Sequence, residues 1–440
     1  MEDEHVRRHP DHPSPYRRDA GSRRVERGRP PLRALAPVVT AAVVYGVAAL
    51  AWLALGPALP GGRWMAVHLF TLGTMTNLVA AMTDHFARTL TKVEGDGRRG
   101  WRLGLLNAGI VLVLVSLPQR WPVVLATGAS ATLVAIAWLV LALRRMRTRA
   151  VGARFGYVVR AYELAGVAFL GGGLLGALMG TGTLPPGWHE GAWSAHLALN
   201  VLGWGGLVLL ATIVFFAPTV MRARMVVAAD RLARYALPVA SAGLVLAVAG
   251  LIASSAGGPT AGMGRAAAVA GLGGYALASA LVCGPALATA RRAVRSPQAY
   301  AISAVCAWFP LAAAAAAVAV VWPADPLVRA IGIVLLVGVL AQAIVGALTY
   351  LLPMVTGAGA ERRALQRRQL ERLGAVRVLG YNAGVVAVVA HSLWPDPPRP
   401  GSTVLAAIGW GLVGASVLGS VALGLLATAR GHRAARAWPS

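Results

Sequence analysis

Two histidines stand at the head of long apolar runs, and an imidazole in such a place is a candidate for chemistry. His68 opens the run HLFTLGTMTNLVAAM and His196 opens HLALNVLGWGGLVLLATIVFF. An ionisable side chain within lipid costs roughly 2.5 kcal/mol or more at mid-membrane, so it marks function more often than filler. Met65 stands three residues before His68, on the same face of a helix. A thioether with an imidazole suits Cu(I), and imidazole alone suits haem iron or other metals. Asn200, four residues after His196, is placed to support such a site from behind.

The elements that would position these residues are membrane spans. The chain has 440 residues, 57% of them hydrophobic and 13% charged, with a mean hydropathy of +0.64. That composition excludes a soluble class. Twelve apolar runs are long enough to cross a bilayer as helices, near 33–57, 64–87, 101–117, 121–143, 158–180, 194–218, 233–252, 266–289, 300–321, 329–353, 376–393 and 403–428. The expected fold is therefore all-α and polytopic, a transmembrane domain over 33–428 between a disordered basic tail (1–32) and a second short tail (429–440).

The net charge of +25 is not that of a nucleic-acid binder, because the cations alternate from loop to loop. Basic loops hold Arg88 to Arg102, RRMRTRAVGAR at 144–154, Arg222 to Arg234, ARRAVR at 290–295 and ERRALQRRQLER at 361–372, together with both tails. The intervening loops carry only scattered cations such as Arg120, Arg329 and Arg399. The positive-inside rule then places both termini in the cytoplasm of a plasma-membrane protein, as an even number of spans requires. His68 and His196 fall near the outer side. His85 lies seventeen residues after His68, about 25 Å of helix rise, and is read with Asp84 and Arg88 as an inner interfacial cluster. Glu163 is expected to pair with nearby Arg160, the stretch 361–372 to be a solvated loop in preference to a basic helix on the inner leaflet, and Cys283 and Cys306 to be small packing residues.

A repeat runs through the spans. LGTMTNLVAAMTDHFAR from Leu72, LGWGGLVLLATIVFFAP from Leu202 and VGVLAQAIVGALTYLLP from Val337 align without gaps, superposing Gly73, Gly203 and Gly338. Each lies in an even-numbered span, the second, sixth and tenth. Three units of four helices follow, near 33–143, 158–289 and 300–428.

Twelve helices, a threefold repeat and outer-side histidines ahead of a glycine resemble the main subunit of haem-copper oxidases, and more closely the divergent NnrS-type and actinobacterial copper oxidase-like membrane proteins. The residues that carry the likeness are HLFTLGTMTN at 68–77, HLALNVLGW at 196–204 and ALTYLLPMV at 347–355. The resemblance implies a haem or copper cofactor, with His68 and His196 as ligands, Met65 as a third, Asn200 behind them, and Arg329 and Arg399 as partners for haem propionates. It also implies a redox or copper protein as an outer-side partner.

Departures from that pattern are equally informative. The relatives' second histidine of the sixth span is Ala198 here, the tenth span offers only Gln342, Thr349 and Tyr350, and the seventh span has no histidine. Oxygen or nitric oxide reduction of the standard kind lacks its ligands. What the sequence supports is a non-standard haem or copper protein in copper or nitrogen-oxide handling or electron transfer. The alternatives are a twelve-helix secondary transporter, for which AMTDHFART at 81–89 has the Asp and Arg of an inner-loop signature, and a scaffold without a cofactor.

The topology has a direct test. A reporter active only outside the cytoplasm is expected to be silent when fused after Ser440 and active when inserted between Thr183 and Leu184. Activity at the C-terminal fusion would reverse the orientation.

Overall fold

The computed structural model describes residues 35–185, 187–356, 359–394 and 400–436. The basic tail expected over residues 1–32 and Arg399 lie outside them. Among the described residues the regular elements are all helical, and twelve helices are long and apolar enough to cross a membrane. In chain order these spans are Ala36–Leu55, Gly62–Thr91, Arg99–Gln119, Pro122–Arg149, Gly156–Thr181, His189–Met221, Val227–Ser255, Ala261–Ala290, Pro297–Val321, Asp325–Thr356, Gly374–Ser392 and Gly401–Ala429. Backbone groups in hydrocarbon must find partners within their own segment, and an apolar run of this length satisfies them only as helix.

The second and sixth spans form the centre. Their apolar windows are 61% and 67% buried, against 17% for the first span. Trp204 of the sixth span is fully buried, and its indole donates a hydrogen bond of 3.2 Å to Thr76 Oγ1 of the second. A Cβ on Gly205 would lie 3.2 Å from Met75 Sδ and 3.0 Å from Leu340 of the tenth span, so the three helices meet where the side chain is absent.

These three spans share a local distortion. Each winds as a π-helix, over Leu69–Met75, Ala198–Leu207 and Val334–Ala341, and each such segment includes the glycine aligned in the sequence. In the second span the Thr76 amide and the Thr76 hydroxyl both reach the carbonyl of Thr71, five residues back. The wider turn shifts the register of the helix, so residues on either side of it face different neighbours than a regular helix would give them.

Three antiparallel pairs close on glycines. Gly109 of the third span abuts Gly128 of the fourth, Gly243 and Gly250 of the seventh abut Gly271 and Gly264 of the eighth, and Gly384 of the eleventh abuts Gly409 of the twelfth. In each case an added Cβ would stand 2.4–2.9 Å from the partner's backbone. With no hydrophobic force between helices in lipid, close backbone approach at small residues supplies the packing.

Two expectations need correction. The stretch at 361–372 is not a loop: Ala360–Leu370 is a helix, built from the strong helix formers Glu, Arg, Ala, Leu and Gln. It docks on the twelfth span, with Gln366 donating to the Ala427 carbonyl at 3.4 Å. Glu163 pairs with Arg147 of the fourth span rather than with Arg160, through two hydrogen bonds of 2.6 and 3.2 Å. A planar guanidinium from the facing helix offers a fork that a neighbour one turn away does not.

The glycine seams predict a contrast within one helix. Gly271→Leu puts a side chain into the backbone of Ala247, whereas nothing lies within 4 Å of a Cβ at Gly273. Gly271→Leu should lose about 1–3 kcal/mol or more to overpacking, and Gly273→Leu should unfold at the wild-type temperature in detergent. Equal melting temperatures would show that the seam does not hold the pair together.

Candidate functional site

The second span begins at a turn where Gly61 adopts a left-handed conformation (φ 77°) that an L side chain resists. One turn on, Trp64 presents its carbonyl and its ring to His68. His68 Nδ1 lies 2.9 Å from the Trp64 carbonyl, and the two rings stack at 4.1 Å with an interplanar angle of 21°. The sixth span places His196 at a similar distance from its own start. His196 Nδ1 lies 2.7 Å from the Gly172 carbonyl of the fifth span.

A carbonyl can only accept, so in both histidines Nδ1 carries the proton and Nε2 keeps its lone pair. That is the tautomer in which imidazole ligates through Nε2 with its far nitrogen anchored. The two rings come together: their centres are 6.5 Å apart and their planes 26° from parallel.

The fifth span makes the cradle. A Cβ at Gly176 would stand 2.7 Å from His196 Cε1, and one at Gly172 would stand 2.3 Å from Asn200 Nδ2. Asn200 donates to the carbonyl of His196 at 2.8 Å. With its amide so held it braces the turn that carries His196, at 3.3 Å from the ring's Nδ1.

Met65 is buried with its Cε against Gly61, on the side of its helix where the span begins. Arg329 is exposed in the first turns of the tenth span. Among the described residues no group of three or more His, Cys, Asp or Glu side chains could hold a metal ion. Cys283 and Cys306, on the eighth and ninth spans, are free, buried and in hydrogen-bonding contact with each other.

At the opposite end of the second span lies a denser charged cluster. Asp84 is 1% exposed and contacts Arg102 at 2.6 Å, Arg88 at 2.9 Å and Arg99 at 4.0 Å. Arg102 reaches on to Asp96 at 3.3 Å, and the Trp138 indole donates to the same carboxylate. Partial burial alone would raise the Asp96 pKa, but the Arg98 amide, the Arg102 guanidinium and Trp138 together hold it below the ordinary carboxylate value. The cluster ties the second, third and fourth spans and engages both charged residues of AMTDHFART. His85 lies beside it with its ring 5.8 Å from Phe86.

An apolar cleft of about 140 Å³ lies between the second, sixth and tenth spans over the half that lies away from the histidine pair. On the tenth span its wall is Leu340, Ala343, Ile344, Ala347 and Leu351, and neither histidine borders it.

No protein-family model matches the sequence, and no curated protein is significantly similar to it.

Sequence reasoning placed His68 and His196 at one depth but missed what orients them. The Gly171, Gly172 and Gly173 run with Gly176 was the available signal, since consecutive glycines in a span indicate close approach by a neighbour.

Removing the hub of the charged cluster leaves three guanidiniums unbalanced. Asp84→Ala should cost about 3–5 kcal/mol, seen as a lower unfolding temperature or loss of folded protein. Acid should act in the same direction and more weakly through Asp96. Its contribution is present above the ordinary carboxylate pKa of about 4 and is lost as pH falls through its lower folded value. An unchanged melting temperature in Asp84→Ala would refute the structural role.

Proposed function

We propose that this chain is a plasma-membrane protein of oxidase-like architecture, three four-helix units with both termini in the cytoplasm, that binds one copper ion as Cu(I) between His68 and His196 and serves in copper handling at the outer side. The threefold reading is supported by features that recur once per unit: a π-helical segment in the second, sixth and tenth spans, and a glycine seam between the third and fourth helices of each unit. The orientation rests on the alternation of arginine between loops.

The observation that carries the metal reading is the imidazole pair. A metal–nitrogen bond of about 2 Å plus about 1.2 Å to the ring centre puts two opposed imidazoles about 6 Å apart on one ion, and the rings here are 6.5 Å apart. Both Nδ1 atoms are anchored on carbonyls, so coordination would fall to the Nε2 atoms. Two-ligand sites favour Cu(I), a soft ion content with few ligands, over metals that demand four or six.

Haem fits the residues less well. A bis-imidazole haem between the second and tenth spans needs a ligand from the tenth, which contains no histidine.

Competition of purified protein with a Cu(I) chelator under reducing conditions tests the proposal. One copper per chain is expected, with affinity reduced at least about a hundredfold in His68→Ala and in His196→Ala, and about tenfold in Asn200→Ala. No copper binding, or binding unchanged in both histidine variants, would overturn it. Stoichiometric haem lost in the same variants would replace copper with haem at this pair.

A further inference from the structure

The third unit contains a buried polar side chain with no partner. Gln342, in the middle of the tenth span, is 3% exposed, and neither its Nε2 nor its Oε1 makes a hydrogen bond. A buried amide left in this way costs about 1–3 kcal/mol, and every such group in a folded protein asks for an explanation. Gln342 lines a narrow cavity among the ninth, tenth, eleventh and twelfth spans, together with Thr349, Arg377, Tyr381, Ser416 and Ser420.

Arg377 carries charge into that cavity. Its Nη1 donates to Ser420 Oγ at 2.7 Å and its Nη2 donates to the Leu370 carbonyl, while Nε is buried without a partner. Among the described residues no carboxylate is paired with it. Glu371, the nearest acid in sequence, is engaged by Arg222 at 3.2 Å and by Gln298. Arg377 is half-buried in the first turn of the eleventh span, and the enclosed Nε–H is a donor that a ligand could use.

The other lining groups narrow the choice of ligand. The hydroxyl protons of Thr349, Tyr381, Ser416 and Ser420 are already donated, to the carbonyls of Val345, Val337, Leu412 and Ser416 respectively. The donors that remain are the amide of Gln342, the Nε–H of Arg377 and one further N–H on each Nη of Arg377. The cavity therefore has a positive charge, unspent N–H donors and no carboxylate, which is the chemistry of an anion site.

The geometry points to a binding site for a small monovalent inorganic anion in the third unit, held between Arg377 and the amide of Gln342 and entered from the end beside the helix Ala360–Leu370. The site is separate from the histidine pair and independent of copper. Arg377 supplies the charge, and Gln342 confers the selectivity, since a donor at the inner end of the cavity is reached only by an ion that sheds its water.

The full-length protein in detergent tests this through thermal stability, titrated with sodium bromide or sodium nitrate against sodium gluconate at constant ionic strength. A ligand that binds only the folded state raises stability as RT ln(1 + [L]/Kd). Saturable stabilisation is expected, absent in Arg377→Gln and with an apparent Kd raised about tenfold or more in Gln342→Leu. Anomalous diffraction from crystals grown in bromide should show one ion between the two side chains.

Gln342→Leu also guards against loss of fold, because it replaces an unpaired amide with an apolar side chain of similar size. If the cavity takes only water, bromide and nitrate will act like gluconate on the wild type and no anomalous peak will appear. That result, or an equal anion response in Gln342→Leu, would overturn the site.

Discussion

The hydrogen bond from the Trp204 indole to Thr76 fixes how close the second and sixth spans can come, and the remainder of the arrangement follows from that distance. At 3.2 Å it joins two fully buried groups in the most enclosed part of the molecule. Phe169 packs edge-on against the indole at 5.3 Å and closes the site from the fifth span. Gly205 one position on admits Met75 and Leu340, so the tenth span docks at the same level. Both histidines lie eight residues before this contact, His68 ahead of Thr76 and His196 ahead of Trp204. Two helices pinned at one level and rising together bring those side chains to a common height.

Lipid as a solvent explains where polar groups are found. Most hydroxyls in the spans are bonded to a carbonyl one turn back on their own helix, which removes them from the account without a neighbour's help. Charges cannot be removed in that way, and the described ion pairs cross between helices or lie at their ends. Among the buried polar atoms left without a hydrogen-bond partner, those of Gln342 and the Nε of Arg377 border one cavity. Groups with no partner in hydrocarbon are expected to cluster where a ligand can supply one.

The number and limits of the spans were legible because hydrocarbon thickness sets a length that composition reports directly. Depth was legible too, since position along a span gives height to within a turn. Azimuth was not. Whether Glu163 meets Arg160 on its own helix or Arg147 on the next depends on how two helices rotate against each other, and apolar sequences carry little of that signal. The π-helical turns add a further rotation that no period of 3.6 residues anticipates. For that reason Trp64 stacking on His68 and the Gly172 carbonyl behind His196 could not be read from spacing. The helix at Ala360–Leu370 ranked behind a solvated loop for another reason: its buried residues are Gln366, Gln369 and Leu370, too polar to register as an apolar stripe.

X-ray absorption at the copper edge on Cu(I)-loaded protein tests the central claim most directly, because it reports the atoms bound to the ion. The account predicts two nitrogen neighbours at about 2 Å with the outer-shell pattern of two imidazoles and no sulfur. A sulfur shell near about 2.3 Å would place the ion at Cys283 and Cys306 or at methionine instead, and would contradict a site built on His68 and His196.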